Sequence, residues 1–329
     1  MKSIGQVKQS LPREFVQRLY ERFPLHLAEK ILAGYGAERY PTLRANTLKT
    51  GIRQLMQELA GQGVKFERVP WYDAALVIKN RREGEIEQLE AYQAGRLYLQ
   101  SLSSMIPPLV LDPRPGERIL DMTAAPGSKT TQMAMMMQNA GYILANDANK
   151  LRVERLKYNV ALQGAGIVEV SLADGRTLGE KHPEQFDRVL LDAPCSGEGL
   201  FSADDPRSYR HWSLKEVGKL SSLQKKLFSS AFQALKPGGT LVYSTCTLSP
   251  EENEMVVDWA LSQFEGRLRV LEIPLQIPGA LKGIKDFGEI DLCADVEKAL
   301  RILPSRLMEG FFVCRFKKSA YFTPASSSI

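Results

Sequence analysis

The sequence of 329 residues contains no run of 18 or more apolar residues, the length that a membrane-spanning helix needs. Its first residues also lack the apolar core of a secretion signal, so we expect a cytoplasmic protein with no membrane association. Cysteine is scarce, and its four residues form no Cys-x-x-Cys pair: Cys195, Cys246, Cys293 and Cys314. This scarcity argues against a disulfide framework and against a zinc site, so we expect free thiols and no metal.

Two common nucleotide-binding loops are missing as well. The small-residue segment 123–130, which follows the predicted strand at 119–121, lacks the Gly-x-Gly-x-x-Gly pattern of dinucleotide enzymes. It also lacks the glycine spacing of a phosphate-binding loop. The segment does form a tight turn that opens a helix, where backbone N–H groups can approach a ligand closely. We therefore predict that this turn binds an uncharged or cationic cofactor.

The net charge of +5 comes from the first 100 residues, which hold 16 Lys and Arg against 11 Asp and Glu. The remaining residues hold 27 of each sign and are neutral. A basic excess confined to one segment is compatible with a surface that binds a polyanion. A solvated surface with a chance imbalance gives the same count, so charge alone leaves nucleic acid binding open.

Residues 1–105 predict a small N-terminal unit. Apolar residues recur at helical spacing over 11–35, and the segment 43–48 alternates like a strand. An amphipathic helix is predicted over 51–59, and further strand over 66–78. Small α+β units of this kind often carry RNA-binding surfaces, so we predict an RNA-binding subdomain. The alternative is a packing subdomain without a ligand.

Residues 106–316 predict an α/β domain, because short apolar runs alternate with helical segments. This alternation is typical of a doubly wound, Rossmann-like parallel sheet. The predicted elements are strands 118–122, 141–146, 168–172, 188–191 and 240–244, helices 129–138, 150–162 and 214–235, and a closing strand 310–316. The tail, 317–329, contains Ser and Pro and is predicted to fray.

Two cysteines lie at the ends of these predicted strands. Cys195 and Cys246 each follow a short run rich in Val and Leu, and the carboxyl ends of parallel strands border the ligand crevice. If the two strands are neighbours, both sulfur atoms face one pocket. A thiolate that adds to carbon 6 of a cytosine lets carbon 5 accept a methyl group, and a second thiol can assist release. Cys293 and Cys314 are interpreted as small buried side chains.

Acidic residues follow successive predicted strands: Asp147, Asp174 and Asp192. A carboxylate after the second strand suits the hydroxyl groups of a ribose. Together the three carboxylates suit S-adenosylmethionine, because its sulfonium is positive. Taken singly, an Asp in such a place is more often a helix cap or a turn residue.

Three segments carry a family resemblance: 124–130 (AAPGSKT), 192–197 (DAPCSG) and 243–248 (YSTCTL), the last followed by EENE. In these segments the chain resembles the Nop/Sun (Fmu) family of RNA cytosine-5 methyltransferases, and the likeness extends from about Leu43 to Phe316. Within the family it is most similar to the bacterial enzymes that act on small-subunit ribosomal RNA. That finer likeness rests on residues 44–49 (RANTLK), 70–71 (PW) and 309–313 (EGFFV).

The resemblance implies S-adenosylmethionine as cofactor and RNA as partner. It also implies that Cys246 is the nucleophile and that Cys195 helps to resolve the covalent adduct. Asp192 and Lys129 are implied to touch the target base as well. Thr123 stands where many relatives have Cys, and a small residue serves the turn equally well. The implied cofactor-binding residues are Ala124, Ala125, Pro126, Gly127, Ser128, Lys129, Thr130, Asp147, Asp174 and Asp192.

Several alternatives stay open. The ribosomal enzymes of this family carry a further RNA-binding domain after the catalytic one, whereas this sequence stops soon after Phe316, so transfer RNA remains a candidate substrate. A non-catalytic RNA-binding or ribosome-assembly factor is a rival, although it has no use for two strand-end cysteines. A thiol oxidoreductase is another, although the missing Cys-x-x-Cys and dinucleotide patterns count against it. We expect a monomer.

Overall fold

The computed structural model describes residues 2–287 and 290–320. Three helices come first: α1 (Ile4–Ser10), α2 (Arg13–Arg22) and α3 (Leu25–Tyr35). In α2, Phe15 and Leu19 lie four residues apart on one face, and both are buried. That face packs on Phe201 and Leu248, which belong to loops of the larger domain. The first helices are therefore part of the same hydrophobic core as the loops that they cover.

A small antiparallel sheet follows, with its strands in the order β2-β3-β1-β4. We refer to strands β1 to β4 with helices α4 to α6 as the N-terminal sheet domain. Its elements are β1 (Thr42–Ala45), α4 (Ile52–Gly61), β2 (Phe66–Arg68), β3 (Ala75–Ile78), α5 (Glu83–Glu87), α6 (Glu90–Gln93) and β4 (Leu97–Leu99). The further strand predicted over 66–78 is present as two strands, because β2 and β3 pair with each other and the chain turns between them. Pro70, which has no N–H to donate, lies in that turn.

Both faces of this small sheet are covered. Leu43 of β1 and Leu76 of β3 pack beneath the helices of the N-terminal sheet domain. Val77, on the opposite face, packs with Met105 of the next helix, α7 (Leu102–Leu111). The division predicted at 105–106 falls inside α7, which Ser101 caps by accepting a hydrogen bond from the Ser104 N–H.

The larger sheet is mixed, in the order β11-β12-β13-β9-β8-β5-β6-β7, with β10 beside β13. Strands β5 to β9 are parallel, and the others pair antiparallel at one side. The strands are β5 (Arg118–Asp121), β6 (Tyr142–Asp147), β7 (Val168–Leu172), β8 (Phe186–Asp192), β9 (Leu235–Thr245), β10 (Leu268–Leu271), β11 (Leu281–Lys282), β12 (Leu300–Ile302) and β13 (Phe311–Lys318). The helices are α8 (Ser128–Met136), α9 (Lys150–Gln163), α10 (Leu178–Lys181), α11 (Leu214–Ala234) and α12 (Glu254–Gln263). The predicted Rossmann-like sheet is confirmed.

The central strands are apolar on both sides because helices cover both faces. In β8, Val189 and Leu191 enter one hydrophobic cluster, whereas Leu190 enters the other. The chain runs outward from β5 to β7 and then returns to β8, so the order of strands reverses between β5 and β8. Ligands of open α/β sheets bind beyond the carboxyl ends of the strands at such a reversal.

The last strand extends beyond its predicted end at residue 316. Lys317 and Lys318 continue β13, and the Lys318 ammonium donates to the carbonyl oxygens of Phe232 and Leu235. These two residues therefore do not fray. Residues 321–329 of the predicted tail lie outside the described part of the chain. No helix within 2–287 and 290–320 is long and apolar enough to cross a membrane.

Candidate active site

Cys195 and Cys246 come together at the carboxyl ends of two adjacent strands. Strands β8 and β9 are parallel neighbours, with Asp192 opposite Ser244, and the two Sγ atoms lie 3.2 Å apart. The hydrogen bond with Cys246 and burial both raise the pKa of Cys195. Two thiols at this distance share their protons, so ionisation of one opposes ionisation of the other. Cys195 is thus held as a thiol beside Cys246.

Lys129 supplies a fixed positive charge next to this pair. Its Nζ atom lies 2.6 Å from Asp192 Oδ2 and donates to Ser104 Oγ at 2.9 Å. Burial alone lowers the pKa of Lys129, but the Asp192 carboxylate outweighs burial and the pKa is raised. The ammonium also attracts the Cys246 thiolate. Lys129 therefore places a positive charge beside the thiol pair, where negative charge develops during an attack by sulfur.

The turn predicted to bind a cofactor lies between β5 and α8. The Ala124 N–H donates to the Asn146 carbonyl at 2.7 Å, which joins the turn to β6. Gly127 has φ +108°, which favours glycine, and a Cβ atom there would also lie 2.9 Å from Leu156 Cδ1. The Thr123 hydroxyl donates to the Asp192 carbonyl at 2.8 Å and ties the turn to β8.

Not every residue of the turn is free to meet a ligand. Thr130 is buried and donates to Asp121 Oδ2 at 2.7 Å, and Lys129 faces Asp192. Of the predicted cofactor-binding residues, Lys129 therefore lies at the thiol pair, and Thr130 packs against the end of β5. The backbone of residues 124–128 leads into the N-terminus of α8, where backbone N–H groups can approach a ligand.

Three buried acceptor oxygens near this turn have no hydrogen-bond donor: Asp121 Oδ1, Asn146 Oδ1 and Asp147 Oδ2. Arg152 lies 3.3 Å from Asp147 Oδ2 without donating to it. All three residues end β5 or β6, and a buried acceptor without a donor is costly. A ligand that brings hydroxyl or ammonium donors would satisfy them, so the residues present fit a cofactor with a ribose and a cationic amine.

Asp174 is placed differently from Asp147. Its carboxylate accepts from the Arg176 Nε at 2.9 and 3.0 Å, and this pairing lowers the pKa of Asp174. The side chain lies at the rim of an open cavity of about 1000 Å³ that Leu172 and Leu220 also line. Asp147 is therefore buried beside Asp121 and Asn146, whereas Asp174 is half-exposed at the rim of this open cavity.

Asp121 is a buried carboxylate that the sequence did not single out. Its side chain is 1% exposed, and burial raises its pKa to about 7, with Asp192 acting in the same direction. Its position as the last residue of β5 was visible in the sequence. Its burial depends on Thr130 of α8, which covers it, and a local pattern does not reveal that contact.

Asp121→Asn is expected to raise the free energy of unfolding at pH 8 more than at pH 5. The folded carboxyl group keeps its proton up to about pH 7, whereas the unfolded chain loses it near pH 4. Stability from this group therefore falls as pH rises from about 4 to about 7, by at most roughly 4 kcal/mol. Denaturant titrations of both proteins at the two pH values measure the difference. An equal difference at both would show that Asp121 does not titrate in this range.

The EENE segment after Cys246 holds the loop of Cys195. The Glu252 carboxylate accepts hydrogen bonds from the Ser196 N–H at 2.9 Å, from the Ser196 hydroxyl and from Gln224 at 3.0 Å. Glu252 is fully buried, and burial raises its pKa. Because Ser196 follows Cys195 directly, this carboxylate fixes the position of the Cys195 backbone.

The other residues of that segment fix the loop of Cys246. Asn253 accepts from the Thr245 hydroxyl at 2.5 Å and donates to the Thr247 carbonyl at 3.0 Å, so it holds the residues on both sides of Cys246. Glu254 pairs with Arg301 of β12, and both side chains are fully buried. The sequence showed this segment as part of a family resemblance, but its supporting role appears in the contacts.

The remaining cysteines differ from each other. Cys314 is buried in β13, as predicted. Cys293 is exposed, so its prediction as a buried side chain is wrong. It precedes a short 3₁₀ turn, 294–298, and its N–H donates to Asp258, so polar surface surrounds it. Among the described residues, no group of three or more His, Cys, Asp or Glu is arranged to hold a metal ion.

The sequence profile described as 16S rRNA methyltransferase RsmB/F matches residues 108–317, which hold the sheet and both cysteines. The chain belongs to the RsmB/F family. A second profile, the ferredoxin-like domain of RsmF/B-like methyltransferases, matches residues 11–83. The predicted resemblance to RNA methyltransferases of the Nop/Sun type is confirmed.

Two curated relatives of this RsmB/F chain differ in length. The ribosomal RNA small subunit methyltransferase F of Cronobacter sakazakii is 38% identical over 319 residues, covering 95% of this chain and 64% of the relative. The chain therefore spans less than two thirds of that relative. The tRNA (cytosine(49)-C(5))-methyltransferase of Pyrococcus abyssi is 38% identical over 304 residues, covering 92% of this chain and 96% of the relative.

Solved structures share the whole fold. A methyltransferase homologue from Pyrococcus horikoshii superposes with a TM-score of 0.83 at 32% identity, covering 96% of this chain and 98% of that one. NSun6 from the same organism, solved with SFG, gives a TM-score of 0.81 over 96% of this chain. Its 24% identity supports the fold alone.

Proposed function

We propose that this chain methylates carbon 5 of a cytosine in RNA, using S-adenosylmethionine and a covalent adduct with Cys246. The observation that carries the proposal is the pair of thiols 3.2 Å apart beside the Lys129–Asp192 ion pair. One thiol is enough for a nucleophile, and the second needs a purpose of its own. Membership of the RsmB/F family supports the reaction class.

For the RNA, we propose small-subunit ribosomal RNA first, because the matching family profile and the RsmF relatives carry that description. Transfer RNA is the second candidate. The similarity that supports it is to the archaeal tRNA enzyme, which is 38% identical over 304 residues, the same identity as the RsmF relative.

The cofactor, when bound, supplies an electrophilic methyl group. The turn 124–128 and Asp147 would hold it, with Asp147 Oδ2, which has no hydrogen-bond donor, accepting from a ribose hydroxyl. The Cys246 thiolate attacks carbon 6 of the cytosine, which places negative charge on the ring. Lys129 neutralises that charge, and Asp192, which Ser244 and Lys129 hold in place, accepts from the amino group of the base.

Release requires a base for the proton on carbon 5. Once the Cys246 sulfur is bonded to carbon 6, it no longer raises the pKa of Cys195, because the hydrogen bond with Cys246 is the largest cause of that rise. Cys195 then loses its proton to water and takes the proton from carbon 5. The electrons of the broken C–H bond restore the double bond between carbons 5 and 6 and expel the Cys246 thiolate.

Transfer of a labelled methyl group to RNA tests this function. The purified chain is incubated with labelled S-adenosylmethionine and transcripts of 16S rRNA or tRNA, and the nucleosides are separated. We expect label in 5-methylcytidine from the 16S transcript. Label from the tRNA transcript instead would favour the second candidate. No label in cytidine products from either transcript, or from total RNA, would overturn the proposal.

Asp147→Ala is expected to raise the Kd for S-adenosylmethionine by roughly 10- to 100-fold, equivalent to about 1.4–2.8 kcal/mol of charge-assisted hydrogen bonds. Isothermal titration calorimetry measures this change. Asp174→Ala is the comparison, and a smaller rise is expected because Arg176 already pairs with that carboxylate. Wild-type affinity in Asp147→Ala would remove Asp147 from the site.

A further inference from the structure

The basic residues among the first 100 do not form an RNA-binding surface on the face of the small sheet. RNA-binding domains built on small sheets stack bases on an open sheet face. Here α7 and α8 cover that face. Arg44 of β1 projects from this face and is fully buried. Its guanidinium donates to Gln100 at 3.0 Å and to Thr131 at 3.1 Å. The sheet face is therefore unavailable to RNA, and the cations that meet RNA lie elsewhere.

A cleft of about 750 Å³ opens at the edge of the N-terminal sheet domain. The segment 38–41 before β1, the segment 79–85 after β3 and Arg306 of the larger domain line it, and we call it the basic cleft. Three carboxylates, Glu38, Glu83 and Glu85, also line it. Its cations outnumber them and are Arg39, Lys79, Arg81, Arg82 and Arg306.

Tyr40 organises the cations of this cleft. The Lys79 ammonium lies 4.0 Å from the centre of the Tyr40 ring, and the Arg306 guanidinium lies 4.7 Å from it. The Tyr40 N–H also donates to the Arg306 carbonyl at 3.0 Å. A ring held between two cations fixes both and joins the two domains at this point.

Several of these cations lack an anionic partner. Arg81 pairs with Glu85 at 3.0 Å, and Lys79 pairs with Glu67 at 3.1 Å. Within 2–287 and 290–320, no carboxylate lies at ion-pair distance from Arg39, Arg82 or Arg306. The Arg39 Nε is buried without an acceptor. A bound anion would complete these groups.

The basic cleft also connects with the thiol pocket. The Arg39 guanidinium donates to the Phe201 carbonyl at 3.3 Å, and the N–H of nearby Gly199 donates to the Cys246 carbonyl at 2.9 Å. Arg306 precedes Phe311 by five residues, and the Phe311 ring lies 5.7 Å from Lys129. Five residues span at most about 18 Å, so one RNA strand can reach both places.

We propose that the basic cleft binds phosphates of the substrate RNA that flank the target cytidine. The inference rests on the proposed function, and it assigns RNA contact to loop cations rather than to a sheet face. Because guanidinium and ammonium groups contact the backbone, the cleft positions the RNA without reading its sequence. Sequence selection then falls to other contacts.

The double variant Arg82→Ala, Arg306→Ala tests the cleft. Both side chains are exposed, and the backbone hydrogen bond from the Tyr40 N–H to the Arg306 carbonyl is kept in this variant, whereas deleting residues 1–100 would uncover the core. The matched control is Arg53→Ala, Lys65→Ala, which removes two exposed cations of the N-terminal sheet domain outside the cleft. Filter binding to a labelled 16S rRNA transcript is measured over a range of salt concentrations. Each lost phosphate contact reduces the slope of log K against log salt by about 0.7–0.9.

We expect the cleft variant to lose about 1.4–1.8 from the salt slope and roughly tenfold in affinity, with the control unchanged. In the methylation assay the KM for RNA rises, while kcat and the Kd for S-adenosylmethionine stay at wild-type values. A salt slope equal to that of the control would overturn the cleft proposal. The binding assay does not depend on methyl transfer. If the proposed function is wrong, the wild-type protein will therefore bind the RNA without methylating it, which is a different result from an unchanged salt slope.

Discussion

Cys246→Ala is expected to lower the rate of methyl transfer by roughly 10⁴- to 10⁶-fold, the scale of loss when a covalent enzyme loses its nucleophile. Without the sulfur atom nothing adds to carbon 6, and carbon 5 of cytosine does not attack a methyl group unaided. RNA binding and cofactor binding should persist, because Cys246 is only half-buried at the edge of a hydrophobic cluster and alanine keeps its Cβ atom. Labelled methyl transfer under single-turnover conditions measures the rate, and a denaturing gel should show no protein–RNA adduct.

The exposed thiol provides the matched control. Cys293→Ala removes a cysteine that lies away from the thiol pair, on a surface turn beside Asp258, and should leave the rate at the wild-type value. Measurable turnover by Cys246→Ala, at more than about 1% of the wild-type rate, would remove this residue from the nucleophile's role.

The location of the thiol pair could be predicted because each cue is local. A run of Val and Leu that ends in small or turn residues marks a buried parallel strand and its carboxyl end. The structure adds that β8 and β9 are adjacent and in register, with Asp192 opposite Ser244. Parallel order in a doubly wound sheet made this adjacency a reasonable expectation, but the 3.2 Å separation of the sulfur atoms needed coordinates.

Features that depend on distant partners could not be predicted. Arg44 is fully buried, and it donates a hydrogen bond to Thr131, which lies 87 residues away in the sequence. The same contact covers the sheet face that would otherwise present itself to RNA. The prediction that Cys293 is buried was wrong because Cys293 precedes a short 3₁₀ turn and does not lie in a strand.

The supporting groups of the site were likewise hidden. Glu252 and Asn253 lie in an acidic segment, yet both are fully buried and hold the two cysteine loops. Buried polar residues of this kind are tolerated because each finds partners in the fold. The position of the two thiols can therefore be predicted from local sequence, whereas the buried residues that hold their loops can be identified only in the folded structure.

Cys195→Ala is expected to trap the enzyme on its RNA. Cys246 still attacks carbon 6 in this variant, and the methyl group still transfers, so the first half of the reaction is complete. The proton on carbon 5 then has no base, and elimination stalls. A protein–RNA adduct should accumulate as a slow band on a denaturing gel, and it should require S-adenosylmethionine, while multiple turnover falls to near zero.

The support of Cys195 gives an independent check on this assignment. Glu252→Gln places an amide opposite the Ser196 N–H and hydroxyl, so the Cys195 loop shifts while Cys246 keeps its own anchor on Asn253. The same adduct should accumulate, to a smaller extent, because the thiol is misplaced rather than absent. Normal turnover by Cys195→Ala would make Cys195 a packing residue. An adduct that formed in Cys246→Ala but not in Cys195→Ala would exchange the two roles, since the sulfur that remains bonded to RNA is by definition the nucleophile.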